Sequence, residues 1–429
     1  MGPAGARGQP VPSEPMPTST VARAARTRLA VAAGRAASRA SRLLGRGHGA
    51  VIGGRVAMWV DPAVLAKLVG GRPVTVVTGT NGKTTTTRLL AAGLSTERTV
   101  AANRGANLPA GLVEPASERA DELVFEVDEL YVPQVVRQVG ARVLVLLNLS
   151  RDQLDRITEI RRIAERWREL LATVDRPLTV VANCDDPLVV WAVGDHADVV
   201  WVAAGSRWGE DAALCPSCAR VRHTAADGTW RCECGMGRPA PQWWFDEGCV
   251  HGPGDVGAVP MTLALPGDFN RANASLALAA CDSRGVDVRA ALVALSAVAD
   301  VAGRYVTVTV AGRSVRLLMG KNPASWTEIM HLLHGSSTPV VVCLNARGAD
   351  GMDPSWIWDV PFELLVGRRV VASGDRRLDL SVRLSVAGVE HTVAPDAVSG
   401  ARELPVGPVD LVATYTAFHD VLEVLGVQW

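Results

Sequence analysis

The stretch Val74–Leu90, VTVVTGTNGKTTTTRLL, decides the fold. A β-branched apolar run meets Gly-Thr-Asn-Gly-Lys-Thr, and a Thr/Leu segment of helical character follows. The order is strand, glycine-rich loop, helix. Glycines let backbone N–H groups curl around phosphate oxygens, and a helix N-terminus adds its dipole. In such a loop Lys83 reaches the β- and γ-phosphates of a nucleotide, and Thr84 offers its hydroxyl to Mg²⁺. Gly79, Thr80, Asn81, Gly82, Lys83, Thr84 and Thr85 are therefore the candidate nucleotide-binding residues. The spacing departs from the ordinary phosphate loop, because Val77 stands where that loop has its first glycine and the glycine sits at Gly79.

Downstream of this loop the pattern alternates. ELVFEVDE (122–129) and ARVLVLLNLS (141–150) are apolar runs of the kind found in buried parallel strands. EIRRIAERWRELLATV (159–174) repeats Ile160, Ile163, Trp167, Leu170 and Leu171 at helical spacing. PLTVVANCDDP (177–187) reads as another strand ending in a polar turn. Alternating strands and helices imply an α/β fold with a doubly wound, mostly parallel sheet, whose ligands gather at the strands' carboxyl ends. Glu126 closes its strand near the phosphate loop, where a carboxylate can hold Mg²⁺. Asp128 and Glu129 read as solvated strand-terminal acids.

The bulk composition narrows the class. At 429 residues two or three domains are expected. The formal net charge is zero, so the basic footprint of a nucleic-acid binder is missing and no nucleic-acid partner is expected. No apolar run is long enough to span a membrane. Residues 1–47 differ from the rest: 1–20 are rich in Pro, Gly, Ser and Thr and read as disordered, and 21–46 carry seven arginines and no acid. Arginines interrupt every apolar run there, so a secretory signal is not expected. This basic arm either lies on the catalytic core or contacts an anionic membrane surface or a partner. The Ala/Arg/Val/Gly bias and the absence of an export signal point to a bacterial cytoplasm.

Residues 205–245 interrupt the alternation as a Gly-, Pro-, Cys- and Trp-rich insert. Cys215 and Cys218 form one close pair and Cys232 and Cys234 another. In a reducing compartment such pairs read as metal ligands rather than disulfides, and two pairs flanking a short hairpin suit tetrahedral Zn²⁺. The second pair is Cys-x-Cys, which leaves His223 or Cys249 open as substitutes. A further α/β series follows, with strands in SVRLLMG, TPVVVCLN, RRVVASG and VDLVATY, and the domain boundary is placed near residue 302. The organisation expected is an N-terminal arm (1–47), a central ATP-binding domain (48–302) and a smaller Rossmann-like C-terminal domain (303–429).

The loop GTNGKTTT resembles that of the Mur ligase superfamily, enzymes that use ATP to turn a carboxylate into an acyl phosphate which an amine attacks. NLSRDQLDR (148–156) resembles the superfamily's metal-site segment, except that Gln153 replaces its histidine. That glutamine resembles one branch, the MurT family, the synthetase subunits of lipid II isoglutaminyl synthases. NRGANLPAGL, GDFNRANA, AGRY, KNPASWTE, GADGMDPSWIWDVPFELL, SGDRRLDLSVRL and YTAF resemble the same branch. The resemblance implies a nucleotide site that includes Asn270, Asn273 and Arg304, a Mg²⁺ site that includes Gln153, and a structural four-cysteine zinc ribbon. It implies amidation of the D-glutamate α-carboxyl of a lipid II stem peptide, with ammonia from a separate glutaminase, the GatD subunit, in a heterodimer. It also implies that an acid of the C-terminal domain completes the glutaminase site; Asp353 and Asp359 are the candidates, with Asp350 behind them. DRITEI and Pro361 are local departures from the family pattern. Cys184 and Cys343 sit in no nucleophile elbow, so the chain shows no glutaminase of its own. Two other readings compete. One is a stand-alone ligase that adds an amino acid; the other is a zinc-ribbon module that binds nucleic acid under nucleotide control.

Overall fold

The computed structural model describes residues 18–43, 50–103, 105–151, 157–205, 210–225, 227–299 and 305–427. Gln153, Arg304 and the boundary placed near residue 302 lie outside the described residues.

The central sheet has six parallel strands: β1 (Val74–Thr78), β2 (Val100–Ala102), β3 (Glu122–Glu126), β4 (Val143–Leu146), β5 (Thr179–Asn183) and β6 (Val199–Val202), in the order β2-β3-β1-β4-β5-β6. From β1 the chain crosses to the edge strand β2, returns to β3 beside β1, and then steps outward through β4, β5 and β6 on the other side. Every residue of β1, β3 and β4 is buried, because helices cover both faces. The helices Lys83–Leu94, Asp268–Ser283 and Val288–Ser296 share one core with Val77 and Val145. Val132–Val139, Ile157–Thr173 and Pro187–Val193 share the other with Val76 and Leu144. Ile160, Trp167, Leu170 and Leu171 are all buried in that second core, as their spacing requires. Each such fully buried apolar side chain contributes about 1.5–3 kcal/mol relative to exposure.

After β6 the chain leaves the sheet. β7 (His223–Thr224) and β8 (Trp230–Arg231) form a small antiparallel ribbon. A three-stranded antiparallel sheet follows, made of β9 (Trp244–Asp246), β10 (Cys249–Gly252) and β11 (Gly257–Pro260). The sequence offered no warning of it, because its short strands alternate only weakly. The C-terminal domain is a second six-stranded sheet, β12 (Tyr305–Val310), β13 (Arg313–Met319), β14 (Val340–Cys343), β15 (Val370–Ser373), β16 (His391–Val393) and β17 (Pro408–Ala413). Its order is β12-β13-β17-β14-β15-β16, parallel except for the β12–β13 hairpin.

Two helices, Thr18–Leu43 and Ala50–Val60, form an antiparallel pair at the N-terminal end. Much of the stretch read as a basic arm is therefore helical and packed. The helices meet through Gly34 and Gly53, where a Cβ on Gly34 would lie 2.6 Å from the Gly53 carbonyl oxygen; Gly54 packs instead on the segment Pro109–Leu112, where a Cβ would overlap the Ala110 carbonyl. Asp61 ends the pair. Burial works against its carboxylate, but Lys67 Nζ at 2.8 Å and Thr27 Oγ1 at 2.9 Å hold it below the usual range. No helix among the described residues is long and apolar enough to cross a membrane.

Candidate active site

The phosphate loop joins the buried strand β1 to the helix Lys83–Leu94. Gly79 has φ +144° and Gly82 φ +86°, a region that L side chains rarely adopt. Space excludes side chains as well. A Cβ on Gly79 would lie 2.7 Å from Leu147 Cβ, and one on Gly82 2.4 Å from Asn273 Oδ1. The segment after β4 braces the loop from outside. Asn148 Oδ1 accepts from Asn81 N at 2.9 Å, and Asn148 Nδ2 donates to Asn81 O at 3.0 Å. Thr80 Oγ1 donates to Ser150 O and accepts from Ser150 N, both at 3.0 Å. Asp186 secures the brace. Its carboxylate accepts from Leu149 N at 2.7 Å and caps the helix Pro187–Val193 through Leu188 N and Val189 N. Complete burial pushes this carboxyl up to about 6 despite those amides.

Lys83 is buried at the first turn of its helix. Its Nζ donates to Gly79 O at 2.6 Å, to Thr80 O at 3.3 Å and to Glu129 Oε1 at 3.1 Å. Glu129 is thus not the solvated acid its position suggested. Asp128 accepts from Leu130 N at 3.1 Å and starts a tight turn, and Trp167 Nε1 donates to Glu129 O at 3.0 Å. The turn folds Glu129 back under the loop. Burial raises its pKa, and Lys83 opposes that rise. Glu129 occupies a position on the lysine that a phosphate oxygen would compete for.

Glu126 lies beside Val77 across the β1–β3 ladder and is buried. Asn103 holds its backbone at both ends, accepting from Glu126 N at 2.8 Å and donating to Glu126 O at 2.9 Å. Its Oε2 is buried with no hydrogen-bond partner among the described residues. A buried carboxylate oxygen without a donor is costly, and a hard cation would satisfy it. Thr84, half-buried at the helix start, is the other candidate ligand on the described chain. This donor set fits Mg²⁺.

A cavity runs from the loop to the C-terminal domain. Asn81, Gly82 and Thr85 line one end, and Asn270 and Asn273 line the wall. Asn270 Nδ2 donates to Pro266 O at 2.6 Å, and Asn273 Nδ2 faces Asn270 Oδ1 at 3.5 Å. Leu149, Leu265, Phe269 and Ile329 supply apolar surface for a flat base. The C-terminal domain closes the cavity with Leu318, Ser325 and Ile329, and Asn322 Nδ2 donates to Asn81 Oδ1 at 3.1 Å. Asn148, Glu129 and Asn322 were missed as site residues. Only the polar tips of their strands and KNPASW hinted at them.

In the insert, Cys215, Cys218, Cys232 and Cys234 bring their sulfurs within 4.8 Å of one another. Cys215 Sγ lies 3.6 Å from Cys234 Sγ, and Cys218 Sγ lies 3.4 Å from Cys232 Sγ. Sulfurs bound at about 2.3 Å to one tetrahedral Zn²⁺ sit at comparable separations. The Cys-x-Cys pair is accommodated, and the cluster contains neither His223 nor Cys249. The Met236 amide, first among its neighbours, brings the Cys234 thiol down to about 7. Four protein sulfurs leave no open position, so the site can hold zinc structurally.

The C-terminal acids separate clearly. Asp350 is buried and bonded to the Thr416 hydroxyl and to Thr416 N at 2.8 Å. Asp359 pairs with Arg151 Nη2 at 2.6 Å, across to the segment after β4. Asp353 is exposed and accepts from Ser355 N at 2.8 Å; the Ser355 amide and then its hydroxyl hold it below the usual carboxylate range. Cys343 is buried and pushed up to about 12 by that burial, and Cys184 likewise reaches about 12, so neither is a poised nucleophile.

Known proteins agree with this layout. Residues 77–210 match the family described as Mur ligase middle domain, and residues 319–418 match MurT ligase C-terminal. The chain is 27% identical over 380 residues to the lipid II isoglutaminyl synthase (glutamine-hydrolyzing) subunit MurT of Staphylococcus aureus strain N315, covering 82% of this chain and 86% of that one. It is 27% identical over 440 residues to the subunit of the same name from Streptococcus pneumoniae strain ATCC BAA-255 / R6, covering 93% and 97%. A solved pseudomurein peptide ligase type C from Methanothermus fervidus superposes with a TM-score of 0.64 at 19% identity, over 83% of this chain and 79% of that one, a likeness of fold. With a Mur ligase middle domain joined to a MurT C-terminal domain, the chain belongs to the MurT family.

Proposed function

We propose that this chain is the synthetase subunit of a glutamine-dependent lipid II isoglutaminyl synthase. It uses ATP to amidate the D-glutamate α-carboxyl of the peptidoglycan stem peptide. One observation carries the reading: a braced phosphate loop, with Lys83 and the orphaned Glu126 carboxylate beside it, opens into a cavity shared with a MurT-type C-terminal domain.

ATP lies along the cavity, its phosphates against the loop amides 79–85 and Lys83 and its base near Asn270 and Asn273; Arg304 belongs to this set by family pattern. Mg²⁺, when bound, neutralises charge on the transferring phosphoryl group, and Thr84, Glu126 and Gln153 would hold it. A substrate carboxylate oxygen attacks the γ-phosphorus and ADP leaves, giving an acyl phosphate. Ammonia attacks the acyl carbon, orthophosphate leaves and a proton is lost, giving the carboxamide. Lys83 and the loop amides act by positioning and charge stabilisation rather than by covalent chemistry.

Ammonia comes from a partner glutaminase of the GatD type, which docks on the C-terminal domain. Asp359 is occupied by Arg151, and Asp350 by Thr416. Asp353 is exposed, held charged by Ser355 and free to orient the partner's catalytic histidine. Asp350 and Thr416 fix the loop that presents it. Around this loop Met352 and Trp358 are exposed, and Leu378, Val382 and Val386 form a straight exposed stripe at four-residue spacing on the helix Arg377–Val386. Such a patch suits a protein partner. The zinc ribbon keeps the insert folded. The reaction takes place in the cytoplasm, at the inner face of the membrane where the lipid-linked acceptor lies.

The test co-expresses the chain with a glutaminase from the same genome and supplies ATP, Mg²⁺ and glutamine carrying ¹⁵N in its side-chain amide. The stem peptide should exchange a hydroxyl for a labelled amino group, only when both proteins are present and only with Lys83 intact. Addition of an amino-acid residue by this chain alone would establish the stand-alone ligase instead. Salt-sensitive binding of nucleic acid without amidation would favour the binding-module reading.

A further inference from the structure

We propose that the outward face of the N-terminal helical pair, Thr18–Leu43 and Ala50–Val60, docks on an anionic lipid bilayer; the idea rests on the reading above that the acceptor is lipid-linked. Residues 18–60 contain eight arginines and no acid. Arg26 Nε is used internally, donating to Val60 O at 2.8 Å. Arg28, Arg35, Arg39, Arg42 and Arg55 are exposed and form no ion pair among the described residues.

The apolar side chains on this pair are just as telling. Its inner seam is made of Ala30, Gly34, Gly53 and Ala57, all buried. A helix packed by that face should turn polar residues outward. Instead Leu29 is 63% exposed, Leu43 88% and Trp59 82%, with Ile52 at 41%. Leu29 and Leu43 are close to four turns apart, and Ile52 and Trp59 two turns, so each pair shares a face of its helix. Between the leucines the surface carries the exposed small residues Ala32, Ala36 and Ala40.

Leucine and tryptophan flanked by unpaired arginines match the chemistry of a bilayer interface. There the apolar face enters the headgroup boundary and the guanidiniums meet lipid phosphates. The other exposed stripe, Leu378, Val382 and Val386, differs in charge: its helix carries Asp379, paired with Arg376 at 2.8 Å. That mixed surface fits a protein, and the acid-free one fits an anionic bilayer. Arg35, Arg39 and Arg42 also line a recess whose far wall is Glu114 and Glu118. The recess is of mixed charge, so the lipid contact belongs to the outward face. The helices lie on the surface without crossing it.

The experiment uses the full chain in complex with its glutaminase and vesicles of phosphatidylcholine with or without phosphatidylglycerol. Sedimentation with the anionic vesicles is expected, weakening with salt, and little with neutral ones. Arg28→Gln and Arg55→Gln, exposed and outside the recess, should each weaken binding about fivefold. Leu43→Ser with Trp59→Ser should weaken it further, with an unchanged melting temperature showing that the fold is intact. These variants should amidate a water-soluble short-chain acceptor at the normal rate and a vesicle-embedded one more slowly. No binding to anionic vesicles, or binding untouched by all four substitutions, overturns the proposal. So does preferential binding of RNA, or burial of this face by the glutaminase. If the unaltered complex amidates neither acceptor, the proposed reaction fails, and the vesicle result still decides the docking face.

Discussion

The phosphate loop and the Asp353 loop are both polar turns at the carboxyl ends of parallel strands, yet they are built on opposite principles. Around the phosphate loop every support is internal. Asn148, Ser150 and Asp186 fix its backbone, Glu129 holds Lys83, and two domains close the cavity. Around Asp353 the support stops at the base. Asp350 and Thr416 anchor the loop, Arg347 pairs with Asp375 at 2.7 Å and with Asp420 at 2.9 Å, and beyond them Trp358 and Leu378 stand 51% and 68% exposed. One region is enclosed by the chain's own residues. The other is left open at its rim, the edge to which the proposed glutaminase is assigned. A polar loop backed by satisfied neighbours argues for chemistry within the chain, and a polar loop ringed by bare apolar side chains argues for chemistry shared with another chain.

That contrast can be broken in several places. The largest effect is expected from Asp353→Asn, which should lower glutamine-driven amidation about 10⁴-fold, as removal of the orienting acid does in other triads. Amidation driven by added ammonia should be unchanged, and Asp359→Asn should leave glutamine use within a few-fold of normal. The reverse pattern in steady-state rates would move the partner's acid to Asp359. Lys83→Ala should lower both the glutamine- and the ammonia-driven rates, by about 10²–10³-fold, the scale for losing one preorganised charge-stabilising donor. Sparing either rate would separate the lysine from phosphoryl transfer. Val382→Asp should weaken the complex by about 2 kcal/mol in a titration with the glutaminase, with the isolated chain's melting temperature unchanged. Cys232→Ser should remove zinc from the purified chain and expose the insert to protease while the phosphate loop still binds nucleotide.

The smallest effect concerns Glu129. Its pKa is raised mainly by burial, so its charge, and with it the tether on Lys83, is present above that raised pKa and is lost as pH falls through it. Glu129→Gln should tighten ATP binding by about fivefold at alkaline pH, the scale of one charged hydrogen bond. The difference from the unaltered chain should shrink as pH falls. A difference constant with pH would show that the carboxylate does not compete with phosphate.

Much of this was written in the sequence. The run 74–90 specified strand, loop and helix, because β-branched residues, two obligatory glycines and a helical register agree over a few consecutive positions. The four cysteines were legible because zinc demands closely spaced ligand pairs. Glu129 was not, since its burial depends on a turn capped by Asp128 and on Trp167 arriving from a helix far along the chain. Asn322 closes the nucleotide cavity from the other domain, a contact no local pattern encodes. The sheet β9–β11 lay hidden in short strands whose order comes from packing against Trp243. Asp353 and Asp359 looked equivalent until Arg151 was found to engage one of them.

The division of labour between the two regions is tested most directly by giving the purified chain, without any partner, ATP, Mg²⁺, lipid II and an ammonium salt, and weighing the stem peptide. Conversion of the D-glutamate α-carboxyl to its carboxamide, with release of ADP and phosphate and no use of glutamine, is the expected result. An unchanged stem peptide under conditions where the two-protein complex amidates it, or one extended by an amino acid, would contradict it.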